Sequence, residues 1–321
     1  MIFAEMSLDE AEGAILAYPV MAEEQTLRKG TMLNRDQLMA LRRSGVSTVL
    51  AARFEAGDIG ENEAARKIGG MLLSGSIQIG AVTTGRVNLF ARVAGVFCAD
   101  AAGIDAINIH DPCISLATVR NHARVETGQM VATVKIIPFA IPEQIIEDIG
   151  LMLDGRPVID VKSFRKMRVG LIQSRLPSIR EPVLDKTCAL MTKRANRNDG
   201  KLVSERRVPH DADALASAIT EISEISDIIV IFSASAVADA ADVVPRSIRL
   251  AKGEILRIGI PVDPGNLLVL GRHNGKYIIA APGSARSARE NSLDWVLDRL
   301  MAGIELDAAD LSKMGVGGLV L

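Results

Sequence analysis

Residues 227–251 read DIIVIFSASAVADAADVVPRSIRLA. Ile228 to Phe232 is an unbroken apolar run of strand length, the pattern of a strand buried on both faces of a sheet. A loop of small side chains follows, and then apolar positions at helical spacing predict a helix from about Val243 to Ala251. A doubly buried strand feeding a helix is the repeating unit of an α/β sheet.

The same unit recurs on either side. MRVGLIQ, residues 167–173, reads as a strand, and its helix starts near Pro182, a residue favoured at the first helical position. KLVSERRV (201–208) reads as a second strand. DADALASAITEIS (211–223) reads as a helix with Leu215, Ala218 and Ile222 on one face. Strands in LRIGIPV (256–262), NLLVL (266–270) and YIIAA (277–281) follow, then a helix from about Ser287 to Ala302. The alternation predicts a C-terminal domain over residues 166–321, a mostly parallel sheet with helices on both faces.

Residues 1–165 differ in kind and predict an α+β region with a β-rich middle, with a subdivision near residue 76. Ser7 is positioned to cap a helix carrying Leu8, Ala11, Ile15 and Leu16 on one face. Asn34 is positioned to cap a second helix with Leu38 and Leu41 inward. VSTVLAARF (46–54) reads as a strand, and Gly60 to Leu73 as a helix burying Ala64, Ile68 and Leu72. INIHDPCISLATV (107–119) and MVATVKIIPFAI (130–141) read as strands with tight turns, and Gly85 as part of a turn. LDGRPVIDVKSFRK (153–166) reads as a loose connection and marks the boundary.

Bulk numbers exclude several function classes. With 37 basic and 39 acidic residues, net charge −2, the chain lacks the clustered basic excess of a nucleic-acid binder. No apolar run approaches the ~20 residues of a membrane span. Cys98, Cys113 and Cys188 are too far apart for a metal motif and odd in number, which fits buried thiols in a reducing cytoplasm.

In open α/β sheets ligands sit beyond the carboxyl ends of strands. That rule selects QSRLPSIREPVLDKT (173–187), SASAVADAAD (233–242) and PGSARS (282–287). In the last, Pro282 and Gly283 turn the chain, Ser284 and Ser287 offer hydroxyls, and Arg286 offers a bidentate guanidinium in front of an expected helix start. That set suits a phosphate or another oxyanion; the plainer alternative is a strand-to-helix turn with a serine cap. Ser233 and Ser235 with Asp239 and Asp242 would suit Mg²⁺ bridging to a phosphate; the plainer alternative is a solvated loop in which Asp242 caps a helix. His210 reads as a capping or packed residue.

In the order they occur, these motifs resemble the molybdopterin-binding domain shared by molybdopterin molybdotransferase, molybdopterin adenylyltransferase and gephyrin. MRVGLIQS resembles the family's opening strand, LDKT (184–187) its D-x-N turn and VPHDADAL (208–215) its v-p-D-x-x-x-I segment. Residues 227–248 resemble its strand, G-G-[ST]-G loop, Asp and helix with a proline. PVDPGNLLVLG (261–271) resembles P-G-K-P-x-x-x-G, and AAPGSARSAREN (280–291) resembles L-P-G-N-P-x-S. MVATVKIIPFA and VDPGNLL extend the resemblance to a bacterial subgroup of molybdopterin-binding proteins often fused to a nucleotidyltransferase domain. On that resemblance MGVGGLVL (314–321) looks like a fusion junction. The chain departs from the pattern at Ser233–Ala236, where the family has its double glycine, and at Ser174–Pro177, where it has T-G-D-E. It departs also at His210 and at Asn266.

The resemblance implies a molybdopterin-binding fold and a role in molybdenum cofactor biosynthesis, in molybdate insertion or nucleotidyl transfer. The ligand would be molybdopterin or its nucleotide or molybdenum form, with Mg²⁺ held by Asp242 and Asp239. Asp242 and Asp211 would act in catalysis. Asp185, Ser233, Ser235, Pro264, Gly265, Asn266, Pro282, Gly283, Ser284, Arg286 and Ser287 would bind the cofactor. Other cofactor-biosynthesis proteins or a nucleotidyltransferase domain would be partners, within a homo-oligomer. The alternative is a non-catalytic cofactor carrier or sensor with a degraded site, favoured by the lost glycines; an unrelated sugar- or nucleotide-binding α/β domain is a remoter reading.

Overall fold

The computed structural model describes residues 1–320. The chain divides into two compact units, Met1–Val161 and Lys162–Leu321. No helix among the described residues is long and apolar enough to cross a membrane.

The first unit holds two apolar clusters. One gathers Met6, Leu16, Leu33, Leu41 and Val49. The other runs from Ile59 to Val161. The segment expected as a Ser7-capped helix is instead a strand, Ile2–Ser7, a turn, and the short strand Ile15–Leu16. Both pair antiparallel with Thr48–Arg53. The apolar residues that mimicked a helical face serve two strands, and the partner of the first lies some 40 residues or more away in sequence, beyond the reach of a local pattern. Asn34 does cap a helix, Arg35–Arg43, in a capping box with Gln37, and Leu38 and Leu41 are buried. The helix Glu61–Met71 buries Ala64 and Ile68. It lies on a four-stranded sheet ordered Ile114–Thr118, Met130–Ile136, Arg86–Ala91, Ile77–Thr83, all antiparallel. INIH is not strand: it ends the helix Ala101–His110. Nor is 153–166 structureless, since Ile159–Ser163 is the edge strand of a three-stranded sheet.

The second unit is built on one six-stranded sheet. Its elements are β1 (Arg168–Arg175), α1 (Glu181–Arg197), β2 (Lys201–Pro209), α2 (Ala212–Ser223), β3 (Ile228–Phe232) and α3 (Val243–Leu250). The antiparallel strands β4 (Glu254–Ile258) and β5 (Val269–His273) follow, then β6 (Lys276–Ala281) and α4 (Ser292–Met301). Strand order is β2-β1-β3-β6-β5-β4. The first four are mutually parallel, while β5 runs antiparallel to β6 and to β4. Period-two alternation divides the buried strand residues between two faces. Val169, Leu171, Val230, Phe232 and Ile279 pack on Met191 and Ala195 of α1 and on Leu293, Val296 and Leu297 of α4. Ile172, Ile229, Ile231, Ile278 and Ala280 pack on Leu215, Ile219 and Ile222 of α2 and on Val244 and Ile248 of α3.

This order contains a switch point. From β1 the chain crosses through α1 to β2 on one side. From β3 it proceeds through α3 to strands on the other. The loops leaving β1 and β3 therefore diverge and open a crevice at the carboxyl edge of the sheet, the place where such sheets bind ligands.

Candidate functional site

The crevice is organised by the end of β1. Gln173 and Ser174 are fully buried polar residues at the exit of an otherwise apolar strand. Gln173 Nε2 donates to Leu184 O and to Glu205 Oε1, each at 2.8 Å. The Ser174 hydroxyl accepts from Ala234 N at 2.8 Å and lies 3.0 Å from His210 Nδ1. This pair is a clasp between the ends of β1, β2 and β3. Ser174, at 0% exposure, is out of reach as a nucleophile.

Arg286 reaches into the same place from the loop after β6. Nη1 donates to Thr187 Oγ1 at 2.7 Å and to Gln173 Oε1 at 3.4 Å, and Nη2 donates to Ser233 O at 3.2 Å. Its guanidinium carbon sits 5.2 Å from the centre of the Phe232 ring. Burial alone pushes its pKa down from the ordinary arginine value. The described residues contain no carboxylate at ion-pair distance from it, so the charge is half-buried and uncompensated. These contacts bring the loops after β1, β3 and β6 to one edge.

The PGSARS loop is not followed at once by a helix. Gly283–Arg286 forms a 3₁₀ turn, and α4 begins only at Ser292 behind its own cap, Asn291, in a capping box with Asp294. The intervening Ser287–Glu290 leaves the free end of α4 away from the turn, and Asp294 already neutralises it. What holds the loop is Arg194, 4% exposed, donating to Ala285 O at 2.7 Å, Ser287 O at 2.9 Å and Asp294 Oδ1 at 3.0 Å. Ser284 Oγ is buried with no hydrogen-bond partner. An unmade bond of this kind costs about 1–3 kcal/mol. Ser287 Oγ accepts from Arg289 N at 3.2 Å.

The remaining candidates are distributed as follows. Asp242 caps α3: Oδ1 takes Val243 N at 2.6 Å and Oδ2 takes Ala238 N at 3.0 Å. Asp239 Oδ1 takes Ala241 N at 2.7 Å. Asp211 caps α2 through Asp213 N and Ala214 N, each at 3.0 Å. Each carboxylate is spent on backbone amides, and the described residues include no group of three or more acidic, His or Cys side chains fit to hold a metal. Ser235 is exposed, with only a 3.5 Å contact from its hydroxyl to Ala236 O. LDKT is not a turn but the first turns of α1, where Asp185 Oδ1 accepts from Arg207 at 2.6 Å. Pro264–Asn266 lies at the same sheet edge, ahead of β5, and is seated on α4: Gly265 O accepts from Ser292 Oγ at 2.6 Å.

Gln173, Thr187, Arg194, Glu205 and Arg207 complete the arrangement. Arg207 is gripped by Glu205, Asp185 and Glu181, and these hydrogen bonds raise its pKa. Burial pushes the Glu205 carboxyl up, but hydrogen bonds from Arg207, Gln173 and Cys188 outweigh it and hold the group below the usual glutamate value. Burial, with Glu205 adding to it, raises the Cys188 thiol to about 11. A glutamine and a serine directly after the run Val169–Ile172 were the sequence signal for this network.

No family model and no curated protein matches the chain. Among solved structures it is similar to a molybdopterin biosynthesis MoeA protein of Pyrococcus horikoshii, at 15% identity over 79% of this chain and 81% of that one, TM-score 0.34. It is similar to the molybdopterin biosynthesis enzyme MoaB of Thermus thermophilus, at 18% identity over 43% of this chain and 97% of that one, TM-score 0.32. A CinA protein of Thermoplasma acidophilum, described as of unknown function, matches at 13% identity over 42% of this chain and 98% of that one, TM-score 0.35.

Proposed function

We propose that the switch-point crevice of the second unit binds a phosphate-bearing pterin, molybdopterin or its nucleotide form, and that the chain serves molybdenum cofactor biosynthesis as its binder. The observation that carries the reading is Arg286. A desolvated guanidinium without a carboxylate is costly, and a phosphate arriving in the crevice supplies the missing anion in bidentate geometry. The ordered motif set from MRVGLIQS to AAPGSARSAREN supports a pterin over other phosphate esters.

Binding without turnover is the version the geometry favours. In a transferase, Asp242 and Asp239 would hold Mg²⁺, with Asp211 and Asp185 at the rim. Here each Asp242 oxygen already accepts one backbone amide. The test is calorimetric titration with molybdopterin, alongside an assay of adenylyl and molybdate transfer. One-to-one binding that is lost in Arg286→Met supports the reading. Binding of nucleotides in preference to the pterin would assign the crevice to a different ligand, and measurable transfer would restore the catalytic version.

A further inference from the structure

The first unit contains a cleft of about 920 Å³ that the crevice chemistry does not use. A smaller cleft of about 320 Å³ shares Gly30, Glu61 and Phe139 with it and extends it. Its apolar walls come from Phe3, Pro112, Ile137, Pro138 and Phe139. Phe3 and Ile137 are left 51% and 60% exposed.

Its charges are one-sided. Among the side chains of the larger cleft, Lys29, Arg86 and Lys135 stand against one carboxylate, Glu61; the Met1 ammonium beside them is paired with Glu55 and Asp58, and Glu63 of the smaller cleft with Lys67. Lys135 is committed: its ammonium donates to Thr84 O at 2.6 Å and to Glu61 Oε2 at 3.4 Å. Lys29 and Arg86 are exposed and pair with no carboxylate among the described residues. The Lys29 ammonium stands 5.6 Å from the centre of the Phe139 ring. The turn between these groups is rigid. Gly85 has φ +67°, and a Cβ there would lie 2.4 Å from Glu61 Oε2. Gly85 N donates to Asn62 Oδ1 at 2.8 Å and its carbonyl accepts from Ile136 N at 2.8 Å. Arg86 and Lys135 are thereby fixed on the cleft side by side in paired strands.

We infer that this cleft is a second binding site, for a small organic anion with a flat apolar body. A flat body covers Phe139, Ile137 and Phe3, and its acidic group meets Lys29 and Arg86, which carry the uncompensated charge. An apolar wall with a few convergent polar groups is the general form of a small-molecule site. A neutral hydrophobe would leave the two cations unused, and an inorganic anion would leave the aromatic wall bare.

The probe is 8-anilinonaphthalene-1-sulfonate, followed by fluorescence on the folded full chain, with neutral N-phenyl-1-naphthylamine as its uncharged counterpart. Saturable binding of the sulfonate is expected, with Kd raised at least tenfold in Lys29→Gln/Arg86→Gln and at least fivefold in Phe139→Ala. The neutral probe should be affected by Phe139→Ala and not by the charge variants. Lys29 and Arg86 are exposed, so the double variant should keep the parent's circular dichroism and Tm. The inference is overturned if the sulfonate does not saturate, if the double variant binds it as the parent does, or if the neutral probe binds as tightly. Loss of the sulfonate in Arg286→Met would put the probe in the other unit and overturn it equally.

Discussion

Replacing Arg286 with methionine separates binding from folding at the crevice. The side chain is half-buried, and its donors reach Thr187, Gln173 and Ser233 without meeting a carboxylate. Methionine keeps the apolar body against Phe232 and removes the charge. Thr187 stays satisfied because its hydroxyl donates to Val183 O at 2.8 Å. The losses on the protein side are the donors to Gln173 Oε1 and Ser233 O, set against removal of a buried, unpaired charge. The two effects oppose each other, and unliganded stability should change by no more than about 1 kcal/mol. The ligand side is not balanced. Hydrogen bonds to charged groups contribute about 1.5–3 kcal/mol, so losing them should raise Kd about 10- to 150-fold. Thermal melts read this with pyrophosphate as the probe. Saturation at about 100 times Kd stabilises by about 2.7 kcal/mol, a Tm rise of roughly 5–10 °C for a domain of this size. The parent should show that rise and the variant between about a tenth and a half of it. A variant that melts more than about 10 °C lower without any anion would make Arg286 a structural brace, and equal shifts in both proteins would refute the anion reading.

Three further outcomes follow from the same geometry. Asp242→Ala should cost about 1 kcal/mol as a lost helix cap, Asp242→Ser should recover most of it, and Mg²⁺ should shift the Tm of parent and variants alike; a Mg²⁺ shift confined to the parent would mark Asp242 as a ligand. Gly265→Ala should destabilise by about 1–3 kcal/mol or more in urea titration, because φ is +120° and a Cβ would lie 2.1 Å from Ser292 Oγ; an unchanged midpoint would deny that packing. Glu205 has a folded pKa below its unfolded value, so its contribution is complete above the unfolded value and fades as pH falls through the folded one; Glu205→Gln should flatten the acid limb of the stability profile, and an unchanged limb would place the acid sensitivity elsewhere.

The second unit was legible because its signals are local. Ile228–Phe232 is buried throughout, and Leu215, Ala218 and Ile222 share the buried face of α2. The first unit was less so. Leu8, Ala11, Ile15 and Leu16 have helical spacing, yet the backbone pairs with Thr48–Arg53, and no window of a dozen residues contains that information. The site divides the same way. Arg286 stands out in PGSARS, but that it lacks a carboxylate depends on Gln173, Thr187 and Ser233 from three other elements. Asp239 and Asp242 have the composition of a metal pair; the plainer alternative in the sequence, a helix-capping Asp242, is the role its backbone partner Val243 N gives it.

The small side chains of Ser233–Ala236 give the crevice its character. A glycine-rich loop binds phosphate because its amides are free and its backbone approaches closely. Here the amides turn inward. Ala234 N is held by Ser174 Oγ at 2.8 Å, Ser235 N lies 3.4 Å from Ser233 Oγ, and Ala238 N and Ala241 N are held by Asp242 and Asp239. Amides paired in this way offer little that strengthens as charge develops in a transition state. Arg286 offers a full charge to ground state and transition state alike, and uniform binding of that kind lowers Kd without accelerating chemistry. On the proposed reading, a crevice with these amides already paired suits holding a phosphate ester more than transferring it.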